Sequence, residues 1–493
     1  MNKNFNFDEI ISKVTSALIY SNTPLWESQY VPAIELILRL DERGIPITHL
    51  VCSGELNSCP ANPFHELVKC TTCKKITNQS KKKLIPAKVK VEELVNTIEY
   101  IVPYFESQID FEQFMYESLP AGQLAYSQLV DDASDLKIPL ATINKRGRNL
   151  VSEAINLYEQ SLKIITRDSI QTVFVWNGRR SSDGPVLYAA RQLGLKAYSF
   201  SSGSTPDKFY FQENSLHSIE EWNRSISRFT AQFSGDNSEL SDAAELFYIH
   251  QQYGNRTTFD NTYFASGFLE IYKPENTIRK HLVIFSSSIW ETVNFLEKNR
   301  LHSDFKDAYE LIFRVLNEKV VTDKYKITVR WHPNLQNAGK FESSELKKII
   351  ASTPFIEHIE PASSIDSYSL LHSADVVITT GSTMGVEANY FKKPSILLGV
   401  ALYMDLKVCY QPKNFSELLN LLSIELEPLD RFGALVYGAF FASYGYEYKY
   451  FGINTARYEW KGQSVALLLN KRNRVKNFVH KVLRFLFKKR SLS

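Results

Sequence analysis

No stretch of this 493-residue chain approaches the ~20 consecutive apolar residues that a bilayer-spanning helix needs. The nearest candidate, residues 432–446, is short and interrupted by Gly433, Gly438 and Gly445, and reads as a segment crossing back between two halves of the molecule. Residues 1–10 are polar and acidic, unlike the basic-then-apolar start of a secretory signal, which predicts a cytoplasmic protein. An excess of either charge is also missing. The 57 Lys and Arg nearly balance the 54 Asp and Glu, so the net charge of +3 makes no case for nucleic acid as a partner. There is no internal repeat and no low-complexity tract. No Gly-x-Gly-x-x-Gly follows the first strand, which argues against a dinucleotide cofactor.

What is present describes an ordinary globular chain, 44% apolar and 23% charged, long enough for two to four domains with large cores. Its most informative stretch is residues 374–398. Val376, Val377 and Ile378, and later Ile396, Leu397 and Leu398, are short continuous apolar runs suited to parallel strands covered on both faces. Between them Gly381 frees the backbone to turn, and Ser382 or Thr383 can cap a following helix. Such a turn displays backbone N–H groups at the positive end of a helix dipole, where phosphate binds. Glu387 lies one helical turn further on. Residues 327–334 form a second β-rich run that ends in Arg330, Trp331, His332 and Pro333. A third, residues 282–288, ends in Ser286, Ser287 and Ser288. Ligands sit beyond the carboxyl ends of parallel strands, so Ser286, Ser287, Arg330, His332, Gly381, Ser382 and Thr383 are candidates for one anion site. A helix over residues 304–318 is expected between two of these strands.

The front half repeats the pattern. Residues 17–20 read as a strand and residues 30–43 as a helix, with Gly44 at its C-terminal cap. A second strand follows over 46–51. Residues 172–176 form another strand running into Asn177, Gly178, Arg179 and Arg180, and residues 196–200 a further one ending at Ser201, Ser202, Gly203 and Ser204. The economical architecture is α/β, with two Rossmann-like domains facing a cleft.

Taken together, Arg330-Trp331-His332-Pro333, Asp366-Ser367-Tyr368, Asp375, Gly381-Ser382-Thr383, Glu387-Ala388 and Lys393-Pro394 resemble the donor-binding domain of GT-B glycosyltransferases. The resemblance is to the capsule and lipopolysaccharide group, which is also similar to nucleotide-sugar 2-epimerases. It implies a nucleotide-sugar donor, its phosphates held by Ser382, Thr383 and His332 and its ribose by Glu387. The Asn177-Gly178-Arg179 strand end resembles the same group and places Asn177 and Arg179 on the acceptor side. There the next strand commonly ends in a Glu-x-Gly-like turn, where this chain has Ser201-Ser202-Gly203 without the acid. The chain contains no Asp-x-Asp pair, the usual carrier of a catalytic divalent metal in the other large transferase fold, so no catalytic metal is expected. Leaving-group charge would fall to Arg330 and His332. A base for the acceptor hydroxyl would come from the front half, with Glu27 and Asp183 as candidates that can equally be structural.

Four of the five cysteines cluster at Cys52, Cys59, Cys70 and Cys73. The two-residue gap between Cys70 and Cys73 lets two thiolates share one ion, and a cytosolic chain favours metal over disulfides. One structural zinc site is expected, the alternative being separate reduced thiols. Residues 471–490 carry nine Lys and Arg without an acid, interleaved with Val475, Phe478, Val479, Val482, Leu483 and Leu486 at helical spacing. A basic amphipathic helix of this kind suits an anionic membrane surface, against the alternative of packing on the body. The expected organisation is an acceptor-side domain over 1–272, a nucleotide-sugar domain over 273–428, a cross-over over 429–470 and the membrane-associating tail over 471–493. The expected activity is glycosyl transfer to a growing surface glycan or lipid-linked acceptor at the inner face of the cell membrane. A 2-epimerase-like enzyme and a catalytically silent scaffold of polysaccharide assembly are the alternatives.

Overall fold

Short apolar runs separated by amphipathic helices build two sheets, the second all parallel and the first parallel except at one antiparallel edge, as a computed structural model shows. The structure describes residues 7–469 apart from 57–58, 96–99, 217, 234–237, 254–268, 276, 289, 291–304, 306 and 455–456. The basic amphipathic segment 471–490 lies outside the described residues.

The first sheet contains β1 (Ala17–Tyr20), β2 (Ile47–Cys52), β3 (Lys90–Leu94), β4 (Thr172–Trp176), β5 (Lys196–Ser202) and β6 (Lys208–Glu213). The second contains β7 (Lys280–Phe285), β8 (Tyr325–Arg330), β9 (Glu357–Ile359), β10 (Val376–Thr379) and β11 (Ser395–Leu397). A late strand, β12 (Tyr446–Glu447), returns to the edge of the first sheet against β6. The strand orders are β12-β6-β5-β4-β1-β2-β3 and β11-β10-β7-β8-β9. In both, the first strand of the unit lies inside, so the order reverses between β1 and β4 and again between β7 and β10. These are the two places where a doubly wound sheet opens a crevice at its carboxyl edge. The architecture is the α/β, GT-B-like one of two Rossmann-like halves around a cleft.

Period-2 alternation splits the core. Leu18 and Tyr20 of β1 face one apolar cluster that continues through Leu50 and Val173 into Leu282, Val329 and Ile378 of the second sheet. Ala17 and Ile19 face the opposite cluster, where the helix Glu27–Glu42 packs with Phe174, Phe200 and Phe209. Tyr446, Phe451 and Tyr458 join that same cluster, so residues 446–458 close over the first domain after the chain leaves the second.

Local differences from the sequence expectations have physical causes. The helix expected over 304–318 runs Ala308–Asn317, because the Asp307 carboxylate accepts from the Glu310 N–H and fixes the start there. The glycine-interrupted stretch 432–446 forms an unbroken helix, Phe432–Ser443. Its glycines serve close approach: a Cβ on Gly433 would lie 2.1 Å from the Leu406 carbonyl oxygen. Tyr248 of the helix Ser238–Tyr253 donates to the Ala434 carbonyl at 2.8 Å and ties this crossing helix down. Among the described residues, no helix is long and apolar enough to cross a membrane.

Candidate functional site

A cleft of about 820 Å³ lies between the two halves. Its second-domain wall carries Ser286, Arg330, His332, Ser382, Thr383 and Glu387, six of the eight residues expected to hold a donor. Ser287 and Gly381 stand just behind that wall. Ser287 N–H donates to Thr380 Oγ1 at 3.1 Å, and a Cβ on Gly381 would meet the Val400 carbonyl oxygen at 2.8 Å. With φ at +134°, Gly381 also adopts a backbone that side-chain-bearing residues rarely take, so this turn requires glycine.

The β8 end shows how alternation builds the wall. Trp331 turns into the core, fully buried, with its indole donating to His358 at 3.2 Å. Arg330 and His332 turn the other way, towards the cleft. The His332 backbone N–H donates to Ser286 Oγ at 2.9 Å, joining the β7 and β8 ends. Its Nδ1 accepts from the Asn334 N–H at 3.2 Å and lies 2.7 Å from Ser288 Oγ. Acceptance at Nδ1 puts the ring proton on Nε2, as a donor. Burial, reinforced by the neighbouring Arg330 charge, lowers the ring to about 4, so it is neutral at physiological pH.

Arg330 is 6% exposed. It donates to the carbonyls of Glu360 and Ser363, bracing that loop, while its Nε has no partner. Burial alone pulls its guanidinium below the ordinary arginine value, and no carboxylate pairs with it among the described residues. A buried cation without a counter-ion at the wall of a cleft favours an anion by charge alone.

The turn at 381–383 behaves differently from the sequence expectation. The Gly381 and Ser382 N–H groups both donate to Thr379 Oγ1, at 3.2 and 2.8 Å, and the Met384 N–H donates to Ser382 Oγ at 3.3 Å. These amides are therefore satisfied inside the turn and are not the cradle the small-residue pattern implied. The Ser382 and Thr383 side chains remain at the cleft wall. Glu387 is buried, accepts from the Tyr368 hydroxyl and has its carboxyl raised by burial.

The front-half candidates are placed elsewhere. Arg179 and Arg180 converge on Asp131, each at 2.7 Å, and Asn177 turns the chain with φ at +62°. Asp183 caps the same turn by accepting from the Arg180 N–H at 3.0 Å, and burial raises its carboxyl to about 6. None of these lines the cleft. Glu27 precedes the cleft-lining Ser28 and Gln29 but is engaged by Arg457 and the Tyr458 backbone. The first-domain wall instead consists of Ser28, Gln29 and residues 201–206, a hydroxyl-rich and uncharged rim. Sequence reasoning named Ser201 to Ser204 as a strand end without giving them a site. Among the described residues the only carboxylates lining the cleft are Asp366 and Glu387, both on the second domain.

Cys52, Cys59, Cys70 and Cys73 all line one small cavity of about 20 Å³, with Asn62 donating to Cys70 Sγ at 3.1 Å. All four thiols are free, and among the described residues no three ligating side chains are already arranged to hold a metal ion.

With this geometry in hand, residues 297–415 match the family model of capsule polysaccharide biosynthesis proteins. The match spans the Arg330–His332 and Gly381–Glu387 segments and supports the resemblance to capsule-type transferases that their motifs carry. No curated protein matches the chain. Among solved structures, the chain is similar to the KpsC β-Kdo 2,7 transferase of Thermosulfurimonas dismutans at 14% identity and a TM-score of 0.34, over 57% of this chain and 80% of that one. The β-Kdo 2,4 transferase of the same KpsC matches at 14% identity and a TM-score of 0.36, over 63% and 94%. The UDP-GlcNAc 2-epimerase of Neisseria meningitidis, bound to UDP-GlcNAc, matches at 10% identity and a TM-score of 0.31, over 86% and 97%.

Proposed function

We propose that this chain is a capsule-type glycosyltransferase that moves a sugar from a nucleotide-activated donor to a growing surface glycan, of capsule, lipopolysaccharide or related type. The observation that carries the reading is Arg330, a buried cation without a counter-ion among the described residues, beside neutral His332 in a cleft of about 820 Å³. That volume suits a nucleotide-sugar, since ligand clefts commonly span roughly 300–1,000 Å³. Donor phosphates would lie against Arg330, the His332 Nε2–H and the hydroxyls of Ser382 and Thr383, with the ribose at Glu387. As the acceptor oxygen bonds the anomeric carbon and the bond from that carbon to the phosphate oxygen breaks, charge gathers on the departing nucleoside diphosphate, and the fixed Arg330 guanidinium would stabilise it. The uncharged rim of Ser28, Gln29 and residues 201–206 would hydrogen-bond acceptor hydroxyls across the cleft.

A nucleotide-sugar panel tests this directly, because a bound donor raises the melting temperature by mass action. Glu387→Ala should then weaken the stabilising donor by roughly 1–3 kcal/mol in a calorimetric titration, through lost hydrogen bonds to a charged acceptor. Unchanged affinity would remove Glu387 from the site.

Two further parts of the proposal concern the chain's surroundings. Residues 471–490 would hold the enzyme at the anionic inner face of the membrane, their basic side chains on headgroups and Phe478, Val482 and Leu486 in the acyl boundary. A chain ending at Asn470 should then sediment less with anionic vesicles than the full chain. The four cysteines would close around one structural zinc, a reading supported by their sharing one cavity and by a donor set suited to that ion. Purified protein should carry about one zinc equivalent, consistent with a single four-thiolate site, and zinc-free protein with four titratable thiols would exclude it.

A further inference from the structure

The first domain carries an apolar surface that its core does not use. Phe64, Leu67, Val68, Ile101 and Tyr104 are 69–87% exposed. Phe64, Leu67 and Val68 gather at the entrance of one helix, Ile101 and Tyr104 lie after β3, and an arginine packs on one ring of each group. The Arg146 guanidinium lies 5.2 Å from the Phe64 ring centroid and donates to the Pro63 carbonyl. Arg148, two residues on, stacks 3.9 Å from the Tyr104 ring and donates to the Val102 carbonyl at 3.0 Å through Nε.

The patch is framed by positive charge. Leu67 and Val68 open the helix Leu67–Lys83, which contains six lysines and no acid: Lys69, Lys74, Lys75, Lys81, Lys82 and Lys83. Two acids bordering the patch are already neutralised, Glu66 by Lys69 and Asp132 by Arg146. Lys83, at the far end of this helix, donates to the Leu468 carbonyl at 2.7 Å. The last described residues, up to Leu469, therefore lie beside this helix.

We propose that this surface docks the first domain on an anionic lipid bilayer, with the large apolar side chains entering the acyl boundary and the lysines and arginines on headgroup phosphates. Exposed apolar side chains at the start of a helix that carries six lysines and no acid match a bilayer interface, where both terms act together. The orientation fits the proposed reaction, on which this inference rests for its purpose. The patch segments follow β2 and β3 at their carboxyl ends, the same edge of the sheet where β1 and β5 supply the acceptor wall. At about 4.8 Å per strand, β2 and β3 stand roughly 14–19 Å from β5, so a headgroup-linked acceptor could reach the cleft from a bilayer resting on the patch.

The test compares the full chain with its Phe64→Ser, Leu67→Ser, Val68→Ser triple variant on vesicles of mixed phosphatidylcholine and phosphatidylglycerol. Exposed positions tolerate serine, so melting temperature and molecular mass should not change. The triple variant should lose at least about tenfold in vesicle partitioning at low and high salt alike, since burial of apolar surface is not screened. Lys81→Glu with Lys82→Glu should cost roughly tenfold or more at low salt and far less at high salt. Partitioning of the triple variant equal to that of the parent overturns the proposal. So does a parent that is dimeric and a triple variant that is monomeric with vesicle binding retained, which would make the patch a contact between copies. Donor titration runs alongside: a parent that binds no nucleotide-sugar yet loses vesicles with the triple substitution sinks the transferase reading and leaves the docking surface standing.

Discussion

Arg179 and Arg180 follow β4 in the first sheet much as Arg330 and His332 close β8 in the second, and along the sequence the two strand ends look alike. The fold treats them in opposite ways. Both arginines after β4 meet Asp131 of the helix Ala121–Ala133, and Asp183 caps the turn beneath them, so the cluster is neutralised and withdrawn from the cleft. Among the described residues Arg330 meets carbonyl oxygens, those of Glu360 and Ser363, and no carboxylate. What separates the proposed donor wall from a structural cluster here is the counter-charge. It comes from a residue about fifty positions away in the first case and from nowhere among the described residues in the second.

The largest effect should come from breaking the neutralised cluster. Asp131→Asn strands two mostly buried guanidiniums at once, and removal of one partner from a buried ion pair costs on the order of 3–5 kcal/mol. Urea unfolding should show that loss, while nucleotide-sugar affinity stays at the parent value. A variant that keeps its stability, or that loses donor affinity without unfolding, would erase the distinction between the two strand ends.

The same contrast marks how far the sequence could be read. Continuous apolar runs at 172–176 and 376–378 announce covered strands, and alternation with Val329 turns Arg330 out of the sheet; that His332 joins it at the cleft while Trp331 turns inward comes from the fold. The doubly wound halves and the second-domain wall follow from such local signals. The first-domain wall does not, because Ser28, Gln29 and residues 201–206 are common polar residues whose role comes only from facing another domain. Asp183 and Glu27 looked available as acids because sequence cannot show that one caps a buried turn and the other is held by Arg457. The turn at 381–383 was misleading for a related reason: a single hydroxyl, Thr379 Oγ1, collects two of the amides that the glycine-serine pattern seemed to offer a ligand.

The halves also meet away from the cleft, and that joint gives a second, smaller test. Gly339 N–H donates to the Ser134 carbonyl and Phe341 N–H to Asp135 Oδ2, both at 2.8 Å. Beside them the fully buried Glu342 accepts from the Tyr309 hydroxyl, and burial, with Asp135 close by, raises its carboxyl to about 7. The folded chain therefore keeps a proton on Glu342 up to about pH 7, which the unfolded chain releases near 4.5. Because the folded state binds more protons across that window, this group's contribution to stability is present below pH 4.5 and is lost as pH rises through 7. Glu342→Gln fixes the neutral form, so relative to the parent it should gain on the order of 3 kcal/mol between pH 4.5 and 7.5. Parallel pH profiles for the two proteins would place the proton elsewhere.

The smallest effect is also the sharpest, because it asks Arg330 to behave as the inverse of Asp131. Arg330→Met removes an unneutralised buried cation and fills much of its volume with apolar atoms. Folding loses the hydrogen bonds to Glu360 and Ser363, about 1–2 kcal/mol, but regains the cost of holding a charge out of water. Net stability should hence shift little, by far less than in Asp131→Asn. Donor binding should fall by roughly 1.5–3 kcal/mol, the value of a charge-assisted contact to phosphate, and the loss should track the anion rather than the sugar. Calorimetry with the free nucleoside diphosphate and with the full nucleotide-sugar separates these, since both should weaken by the same factor. If only the sugar-bearing ligand weakens, Arg330 touches the sugar and the phosphates lie elsewhere. If neither weakens, the unpaired guanidinium is a structural brace for the 360–363 loop, and the contrast with Arg179 and Arg180 loses its functional meaning.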